Sequence, residues 1–581
     1  MPKKKEVNIL HAVLTFFVFL APVFGSVWEK STVVYLVLAL FLGCVGYRIY
    51  KTGRIVLTKS FIFLAAVSLY AFIQLIWVSD KGSQTALGAM FLISALSSLL
   101  IADYKKQIGI ENLTNTAIRL IYSAALFYSV MAILHQIFIE SRFWSSPMSF
   151  SSGSAATSAF IATAGIVAAM KLFGKGKKQP AFYLAVPVMT YVLIMSKSFT
   201  GYLFAALVLF SWAMTRKHKK TEAFGALVLC VALGIVNAIN VVAGLLMNSE
   251  TFNGAIKGVT SIFGIGAGGY NATSEMLEKG YKSFPVTFSF MLEAFGIAGM
   301  AIMIVAVGAG VICCMREKRL ANMSMLIFTL AVIFSSSATL VFTLPVIAMF
   351  YTCREDDVAF EISRVSAFAV AVPLAFSLLF TAAHIPYAMG KHQCDLGNYE
   401  KGGRYYALGA NMEIFNSAGW EKAYTAYMKQ LETGNGTTSY GVVKELVLKA
   451  EKFNKKNYKY NRDLAEVYTA QGDFLKALEI WDNIMIRYDD EVLYPQYAEK
   501  IVDVMGNCPI GLERTEELYM VLDTYAKKSI NKDIVFEMNN ILAKSQQYYV
   551  AAREGEKIAG DMYIDTEDVT EVEYESSSAE G

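Results

Sequence analysis

Long apolar runs, separated by short polar segments, fill the first two-thirds of the chain. A helix that crosses a membrane needs about 20 predominantly apolar residues. The runs of about this length or longer are residues 8–28, 32–50, 60–78, 84–102, 117–139, 156–173, 180–196, 199–215, 222–247, 286–315, 323–353 and 365–387. The pattern predicts a multi-pass transmembrane domain over residues 1–389.

The run 323–353 leaves the number of spans open. As one helix it would measure about 46 Å, against a hydrocarbon core of about 30 Å. A single tilted helix gives twelve spans and a cytoplasmic C-terminus. Alternatively, the serines at 335–337 and Pro345 divide the run into a short helical pair. The pair gives thirteen spans and an external C-terminus.

Basic residues mark alternate loops between these runs. Lys and Arg are concentrated in the cytoplasmic loops of membrane proteins. In this chain they cluster in segments 3–5, 48–59, 105–106, 171–178, 216–220 and 316–319. The alternation predicts a cytoplasmic N-terminus and places the intervening loops outside.

The composition agrees with this pattern. Hydrophobic residues make up 55% of the chain and charged residues 17%, whereas soluble proteins have about 45–50% and about 25%. These values exclude a soluble enzyme, a disordered chain and a secreted disulfide scaffold. The seven cysteines show no CxxC pair and no metal-ligand spacing, so neither a metal nor another cofactor is expected.

The last third of the chain is acidic and polar. Residues 388–581 carry 22 basic and 33 acidic side chains. Within residues 390–552, small and aromatic residues follow the pattern of a tetratricopeptide helix pair, in which small residues let two helices approach. These positions are Leu464, Ala465, Tyr468, Gly472, Ala477 and Trp481. A degenerate copy is predicted around residues 408–431.

The expected fold class is therefore all-α: a polytopic membrane protein of 12–13 transmembrane helices, followed by a soluble α-helical repeat-like domain. One repeat cannot form a stable stack alone, so flanking helices must complete it. Residues 553–581 hold ten acidic side chains and three consecutive serines. That composition predicts a disordered tail.

The predicted outer loops contain the residues most suggestive of chemistry. The loop at 140–156 contains Arg142, and the segment 248–285 is the longest extramembrane stretch of the membrane domain. Residues 263–270 of that segment have glycine at alternate positions, which permits positive φ angles and close backbone approach. No strand precedes them, so they are not a nucleotide-binding fingerprint. Their simplest interpretation is a flexible re-entrant turn.

Three segments together resemble the O-antigen ligase and polymerase superfamily of bacterial glycan-assembly membrane proteins. Residues 195–203 are similar to its Ser-Arg-Gly element, residues 263–270 to its Gly-x-Gly-x-Gly-aromatic element, and residues 292–299 to the end of its His-Asn…Glu-x-Gly-x-x-Gly element. The order and spacing of the three elements agree with the family. In place of the family's arginine and histidine this chain has Lys197 and Pro285, and Glu293 lies one position from the family's glutamate.

The resemblance implies a glycosyltransferase in the bacterial cytoplasmic membrane that uses a glycan carried on a polyprenyl diphosphate, without metal or nucleotide. The diphosphate leaving group requires cations and the acceptor hydroxyl requires a base. The candidate catalytic residues are Lys197, Glu293 and Lys282. The candidates for binding diphosphate or glycan are Arg142, Lys257, Gly264, Gly266 and Gly268.

Structural, non-catalytic interpretations of the two strongest candidates stay open. Lys197 can extend to the membrane surface without binding a ligand, and Glu293 can pair with a neighbouring helix. Two other functions also stay open: a transporter of lipid-linked glycans, and a non-catalytic scaffold. The expected partners are a polyprenyl-diphosphate-linked glycan, membrane lipid, and a protein or glycan bound by the helical repeats, which are expected on the extracytoplasmic side; no nucleic acid is expected.

Overall fold

The structure is a computed structural model that describes residues 30–138, 155–173, 180–198, 201–202, 204–206, 261–267, 287–316, 320–333, 340–356, 358–433, 439–455, 457–489 and 491–575. These residues are mostly helical. They divide into two compact units. The first unit contains the described residues up to Lys422 together with Phe453–Lys455, and the second contains Ala423–Lys452 and the residues after Lys455.

The first unit begins with α1 (Lys30–Thr52), β1 (Arg54–Leu57), α2 (Lys59–Ile73), α3 (Lys81–Gln107) and α4 (Gly109–Phe138). It continues with α5 (Ala155–Phe173), α6 (Pro180–Met195), α7 (Thr287–Phe295), α8 (Ile297–Arg316), α9 (Leu320–Ile333) and α10 (Leu340–Thr352). Next come β2 (Val358–Glu361), α11 (Ala371–Ala382), α12 (His384–Asp395) and α13 (Tyr399–Met412). The helix α14 (Ser417–Glu432) begins in this unit.

Six helical segments in the described part of the chain are long and apolar enough to cross a membrane. They are Val33–Thr52, Lys59–Ile76, Lys81–Gln107, Gly109–Phe138, Ala155–Leu172 and Arg364–Asp395. Gly109, with a φ of 79°, separates α3 from α4. The helix α3 is the most buried of the six and Arg364–Asp395 the least, so α3 is central and the last segment is peripheral.

Two predicted runs are divided by the structure. The run 323–353 contains two helices, α9 and α10, as in the alternative of a short pair. The run 286–315, predicted as one helix, is broken between α7 and α8 at Gly296, whose φ is 60°. That prediction was wrong because a left-handed residue cannot continue a right-handed helix.

A two-stranded antiparallel sheet joins loops that are distant in the chain. Arg54 of β1 faces Glu361 of β2, and their side chains form an ion pair. Nearby, the backbone N–H and hydroxyl of Ser60 donate to the Glu355 carboxylate at 2.9 and 2.6 Å. The segment after α10 and the loop between α1 and α2 therefore lie at the same end of the first unit.

A buried carboxyl group lies near Tyr35, toward the opposite end of α1. Glu413 is 4% exposed and accepts a hydrogen bond from Asn416 Nδ2 at 2.7 Å. Tyr35 lies near both Glu413 and Asp80. Burial raises the pKa of Glu413 to about 7. The segment that follows α13 thus places a buried carboxyl near the start of α1.

The second unit is built from short amphipathic helices followed by one long helix. They are α15 (Tyr440–Phe453), most of which belongs to this unit, α16 (Tyr458–Ala470), α17 (Phe474–Tyr488), α18 (Tyr494–Asn507), α19 (Leu512–Lys528) and α20 (Lys532–Glu575). Gly472, with a φ of 78°, turns the chain between α16 and α17. Ala465, Ala477 and Trp481 are buried in the shared core. The helix α20 continues to Glu575, within the stretch for which the sequence predicts disorder.

Candidate functional site

The glycine-rich segment 261–267 is tightly packed. Gly264 and Gly266 have φ angles of 77° and 91°, a region that residues with a Cβ rarely adopt. A Cβ on Gly264 would collide with the carbonyl of Ala294, and one on Gly266 would collide with the side chain of Val78. Gly264 is therefore required for close backbone approach to Ala294, and Gly266 for close packing against the Val78 side chain. The sequence suggested a flexible turn, whereas in the structure residues 261–267 pack tightly between neighbouring elements. This segment is called the wedge below.

The break between α7 and α8 receives this wedge. The N–H of Ile265 donates to the carbonyl of Glu293 at 2.9 Å. At Gly296 a Cβ would collide with the carbonyl of Ser261. The break and the glycine-rich segment can therefore pack this closely only because glycine occupies the contact positions of both. The structure brings together two of the three elements that carry the family resemblance.

Two buried glutamines complete this arrangement. Gln74 Nε2 donates to the carbonyls of Phe263 and Ala294 at 2.6 and 3.0 Å. Gln84 Nε2 donates to Gln74 Oε1 at 2.7 Å and to the carbonyl of Ala71 at 3.0 Å. Gln84 Oε1 accepts from the N–H of Ala267 at 2.8 Å. Gln74 and Gln84 thus supply the hydrogen bonds that irregular backbone needs where it is buried away from water.

Aromatic rings surround the same place. Phe295 packs against Phe91 and Tyr70, with ring centroids 5.7 and 5.9 Å apart. The Tyr70 hydroxyl donates to the carbonyl of Phe263 at 2.9 Å. Trp77 and Phe263 meet edge to face at 6.4 Å and both are exposed. The site therefore has a rigid interior and an apolar, aromatic rim.

The Lys197 turn is the third element of the resemblance. Lys197 has a φ of 48° and an exposed side chain. The Ser198 hydroxyl accepts from the N–H of Gly201 at 3.2 Å, which caps the helical turn that follows. A Cβ on Gly201 would collide with that of Ala159. Serine and glycine in this element thus have local structural roles, and the lysine presents a cation at the end of α6.

The predicted site residues fall into two groups. Lys197, Glu293, Gly264 and Gly266 lie within the described part of the chain. Glu293 is partly exposed on α7, and its backbone carbonyl supports the glycine-rich segment. Arg142, Lys257, Gly268 and Lys282 lie outside the described residues. The structure places Glu293 beside the wedge and Lys197 at the end of another helix.

Sequence reasoning missed the two glutamines. The sequence did contain an indication of them, because Gln74 and Gln84 are polar side chains within or next to runs of apolar residues. A polar side chain in such a run is costly unless it has a partner. Their partners are mainly backbone atoms of segments far away in the chain, which no pattern within one run could identify.

Comparison with protein-family models, with curated proteins and with solved structures finds no match to this chain.

Proposed function

We propose that this chain is a membrane glycosyltransferase that transfers or polymerises a glycan carried on a polyprenyl diphosphate. The observation that carries the proposal is the fit between the glycine-rich segment and the Gly296 break. Two elements of the family resemblance, separate in sequence, meet in one rigid arrangement. Irregular backbone among apolar helices is tolerated where it is covered by protein or lines a cavity, and discontinuous helices commonly form ligand sites in membrane proteins.

The proposed reaction is a displacement at the anomeric carbon of the donor sugar. An acceptor hydroxyl attacks this carbon and loses its proton to a base, and the bond between the carbon and the diphosphate oxygen breaks. The polyprenyl diphosphate leaves with the electron pair of that bond. Glu293 is the proposed base, and Lys197 is the proposed partner of the leaving group, because a cation stabilises the developing charge.

The exposed rim supports a lipid-linked donor. Ile76, Trp77, Ile262 and Phe263 expose large apolar side chains beside the glycine-rich segment. Aromatic residues favour the boundary between lipid and water, where a polyprenyl chain would enter from the lipid and its diphosphate would stay near water.

The direction of the helices supports a site on the outer face. The loop between α1 and α2 contains basic residues, and the segment after α10 lies at that same end. Basic loops are typical of the cytoplasmic side. In the proposed orientation, Gln74, Lys197 and the chain after α12 all lie on the extracytoplasmic side, with the helical repeats following there.

Substitution of Lys197 tests the proposal. We expect Lys197→Ala to reduce transfer by about 10²–10³-fold, as loss of one charge-stabilising group does. Lys197→Arg should retain activity because it keeps the cation. Lys197→Gly is the matched control: it suits the left-handed φ and should raise stability by about 1 kcal/mol, yet be as inactive as alanine.

The measurement is the length distribution of surface glycan in cells that depend on this chain, with protein abundance followed by immunoblot. Full-length glycan with Lys197→Ala at normal abundance would show that the transferase proposal is wrong. A scaffold that works through its helical repeats would then be the better explanation.

A further inference from the structure

The two-stranded sheet lies close to the ends of two long apolar helices. Its strand β1 forms most of the connection between α1, which ends at Thr52, and α2, which begins at Lys59. Both helices are long and apolar enough to cross a membrane, and an extended chain spans at most about 3.6 Å per residue. The last two turns of α1 expose Tyr47 and Tyr50, and tyrosine favours the membrane boundary. We therefore expect the sheet to lie at the level of the lipid head groups.

The sheet has one buried and one exposed face. Successive side chains of a strand point to opposite faces, and Val56 is 4% exposed, so its face is turned toward the protein. The other face contains Ile55 and Leu57, which are partly exposed, and their strand partners Phe360 and Val358. Phe360 and Val358 are 47% and 57% exposed. The outer face of the sheet is therefore apolar at all four positions.

A second exposed apolar surface begins shortly after β2. Val365 and Phe368 lie three residues apart on the 3₁₀ helix Arg364–Val370, a spacing that puts them on the same side of such a helix. Each is 69% exposed, and Val372 of α11 is 62% exposed. The surface thus continues into α11, within the segment Arg364–Asp395 that is long and apolar enough to cross a membrane. This continuity favours lipid over a soluble protein as the partner of the surface.

The sheet and the 3₁₀ helix are held together at the end of α1. The N–H of Ile362 donates to the carbonyl of Gly53 at 2.9 Å. A Cβ on Gly53 would lie 3.9 Å from Cγ of Arg364, and one on Gly46 would lie 3.7 Å from Cβ of Val370. The 3₁₀ helix therefore packs along the last two turns of α1, with Arg364 at the end that is nearest β1.

Two arginines meet at this end. Arg54 follows Gly53 in the chain, the Arg364 side chain packs against Gly53, and both arginines are exposed. Arg54 forms an ion pair with Glu361 at 3.1 Å, but both side chains are largely exposed. Such a pair contributes little free energy, so another anion can replace Glu361. Because guanidinium groups bind phosphate through two parallel hydrogen bonds, the two arginines offer a phosphate group a site that is open to solvent.

We propose that this surface binds an anionic phospholipid. The phosphate group contacts Arg54 and Arg364, and the acyl chains lie against Val365 and Phe368. The ligand needs no cavity, because all four side chains are exposed. Basic side chains beside membrane helices bind lipid head groups in this way. The inference depends on the membrane-spanning helices and is independent of the proposed transferase activity.

The test compares an anionic with a zwitterionic lipid. The full-length protein, purified in detergent, is titrated with short-chain phosphatidylglycerol or phosphatidylcholine, and the rise in melting temperature is measured. We expect phosphatidylglycerol to raise the melting temperature at lower concentrations than phosphatidylcholine does. Inorganic phosphate is the second probe and should have little effect, since it has no acyl chains to contact the apolar surface.

Substitutions of exposed side chains locate the site without disturbing the core. Arg54→Gln and Arg364→Gln should each weaken phosphatidylglycerol binding about tenfold, the effect of losing one hydrogen bond from a charged group. Glu361→Gln should strengthen binding, because it removes the anion that competes for Arg54. Arg404→Gln is the matched control: like Arg54, Arg404 is exposed and paired with a glutamate, here Glu400 of the same helix, and its loss should leave binding unchanged.

Three results would overturn the proposal. Equal stabilisation of the wild type by the two lipids would show that the surface does not select an anionic head group. Unchanged phosphatidylglycerol binding in the double variant Arg54→Gln/Arg364→Gln would place the lipid elsewhere. An equal effect of inorganic phosphate would mean that the apolar surface takes no part.

Light scattering in detergent tests a second copy of the chain as the alternative partner. The proposal predicts the same mass for the wild type and for Phe360→Ser/Phe368→Ser. A wild-type dimer that this double substitution converts to a monomer would identify the surface as a contact between copies and would overturn the lipid site.

Discussion

Two polar regions among the long apolar helices differ in how their hydrogen bonds are satisfied. At the glycine-rich segment, every side-chain nitrogen and oxygen of Gln74 and Gln84 has a partner. At α4 and α5, Gln136 Nε2 and the hydroxyls of Ser129 and Thr157 have none among the described residues. Both regions are buried, so exposure does not explain the difference.

The comparison separates polar groups that stabilise the fold from buried polar groups that do not. A satisfied network fixes one conformation, because each partner loses its hydrogen bond if the other moves. An unsatisfied buried group costs free energy instead. Substitution should therefore reduce stability in the first region and leave it unchanged or higher in the second.

The largest effect is expected at Gly296. Gly296→Ala places a Cβ against the Ser261 carbonyl on a residue with positive φ, and we expect a loss of about 4 kcal/mol or more. Thermal unfolding in detergent, or the yield of folded protein, measures it. Gly308→Ala is the control, because that α8 glycine has open space around it and should gain up to about 1 kcal/mol. Equal stability of the two variants would contradict the fixed wedge.

A smaller loss is expected at Gln84. Gln84→Leu removes three hydrogen bonds and leaves the Ala267 N–H without a partner, which should cost about 2–4 kcal/mol. Ser98→Ala on the same helix is the control, since the Ser98 hydroxyl is buried and unpaired within the described structure. A double-mutant cycle with Gln74→Leu should show coupling of about 1–3 kcal/mol. Simple additivity would mean that the two amides act separately.

Glu413 adds a third case to the comparison, because its carboxyl has a hydrogen-bond partner and yet burial raises its pKa. Its pKa is about 7 in the folded chain against 4.5 as the reference. Ionisation therefore lowers the free energy of unfolding. Below about pH 4.5 the carboxyl is neutral in both the folded and the unfolded chain and no stability is lost. As the pH rises through 7, roughly 3 kcal/mol of stability is lost. The groups around it are Tyr35, Asp80, Tyr387 and Asn416.

Glu413→Gln should remove this dependence. The expected result is a wild-type melting temperature that falls between pH 5 and 8, while that of the variant stays nearly level. Parallel curves for the two proteins would show that Glu413 does not titrate in this range.

The smallest effect is expected at the paired hydroxyls beside the unpaired ones. Tyr128→Phe leaves the Ser158 hydroxyl without its partner and should cost about 1–2 kcal/mol. Adding Ser158→Ala should recover part of that loss, because both polar groups are then gone. Chemical denaturation of the two variants provides the comparison. No recovery in the double variant would mean that Tyr128 matters through its ring and not through its hydroxyl.

Local features of the sequence predicted much of this fold. The apolar runs at residues 32–50, 60–78, 84–102, 117–139 and 156–173 correspond to helices of the structure. The small residues Ala465 and Ala477 marked the place where α16 and α17 meet. These features depend on side-chain periodicity and helix length, which a single stretch of chain contains.

The parts that could not be predicted depend on distant partners. Hydropathy treats residues 286–315 as one apolar run, since the break at Gly296 is set by a carbonyl of Ser261. Hydropathy also could not distinguish Gln84 from Gln136. The side-chain nitrogen and oxygen of Gln84 both have hydrogen-bond partners, whereas Gln136 Nε2 has none among the described residues. The assignment of Lys197 and Glu293 to catalysis stays a prediction, because it rests on the resemblance.

The pairing of β1 with β2 has a consequence for the order of biosynthesis. Arg54 and Glu361 are 307 residues apart, and ribosomes add about 5–20 residues per second. The first strand therefore waits roughly 15–60 s for its partner to be synthesised. The first apolar helices must be inserted and kept from aggregation during that time. A ribosome that stalls before β2 would leave a strand edge and a helix face open, which makes such fragments natural targets for quality-control proteases.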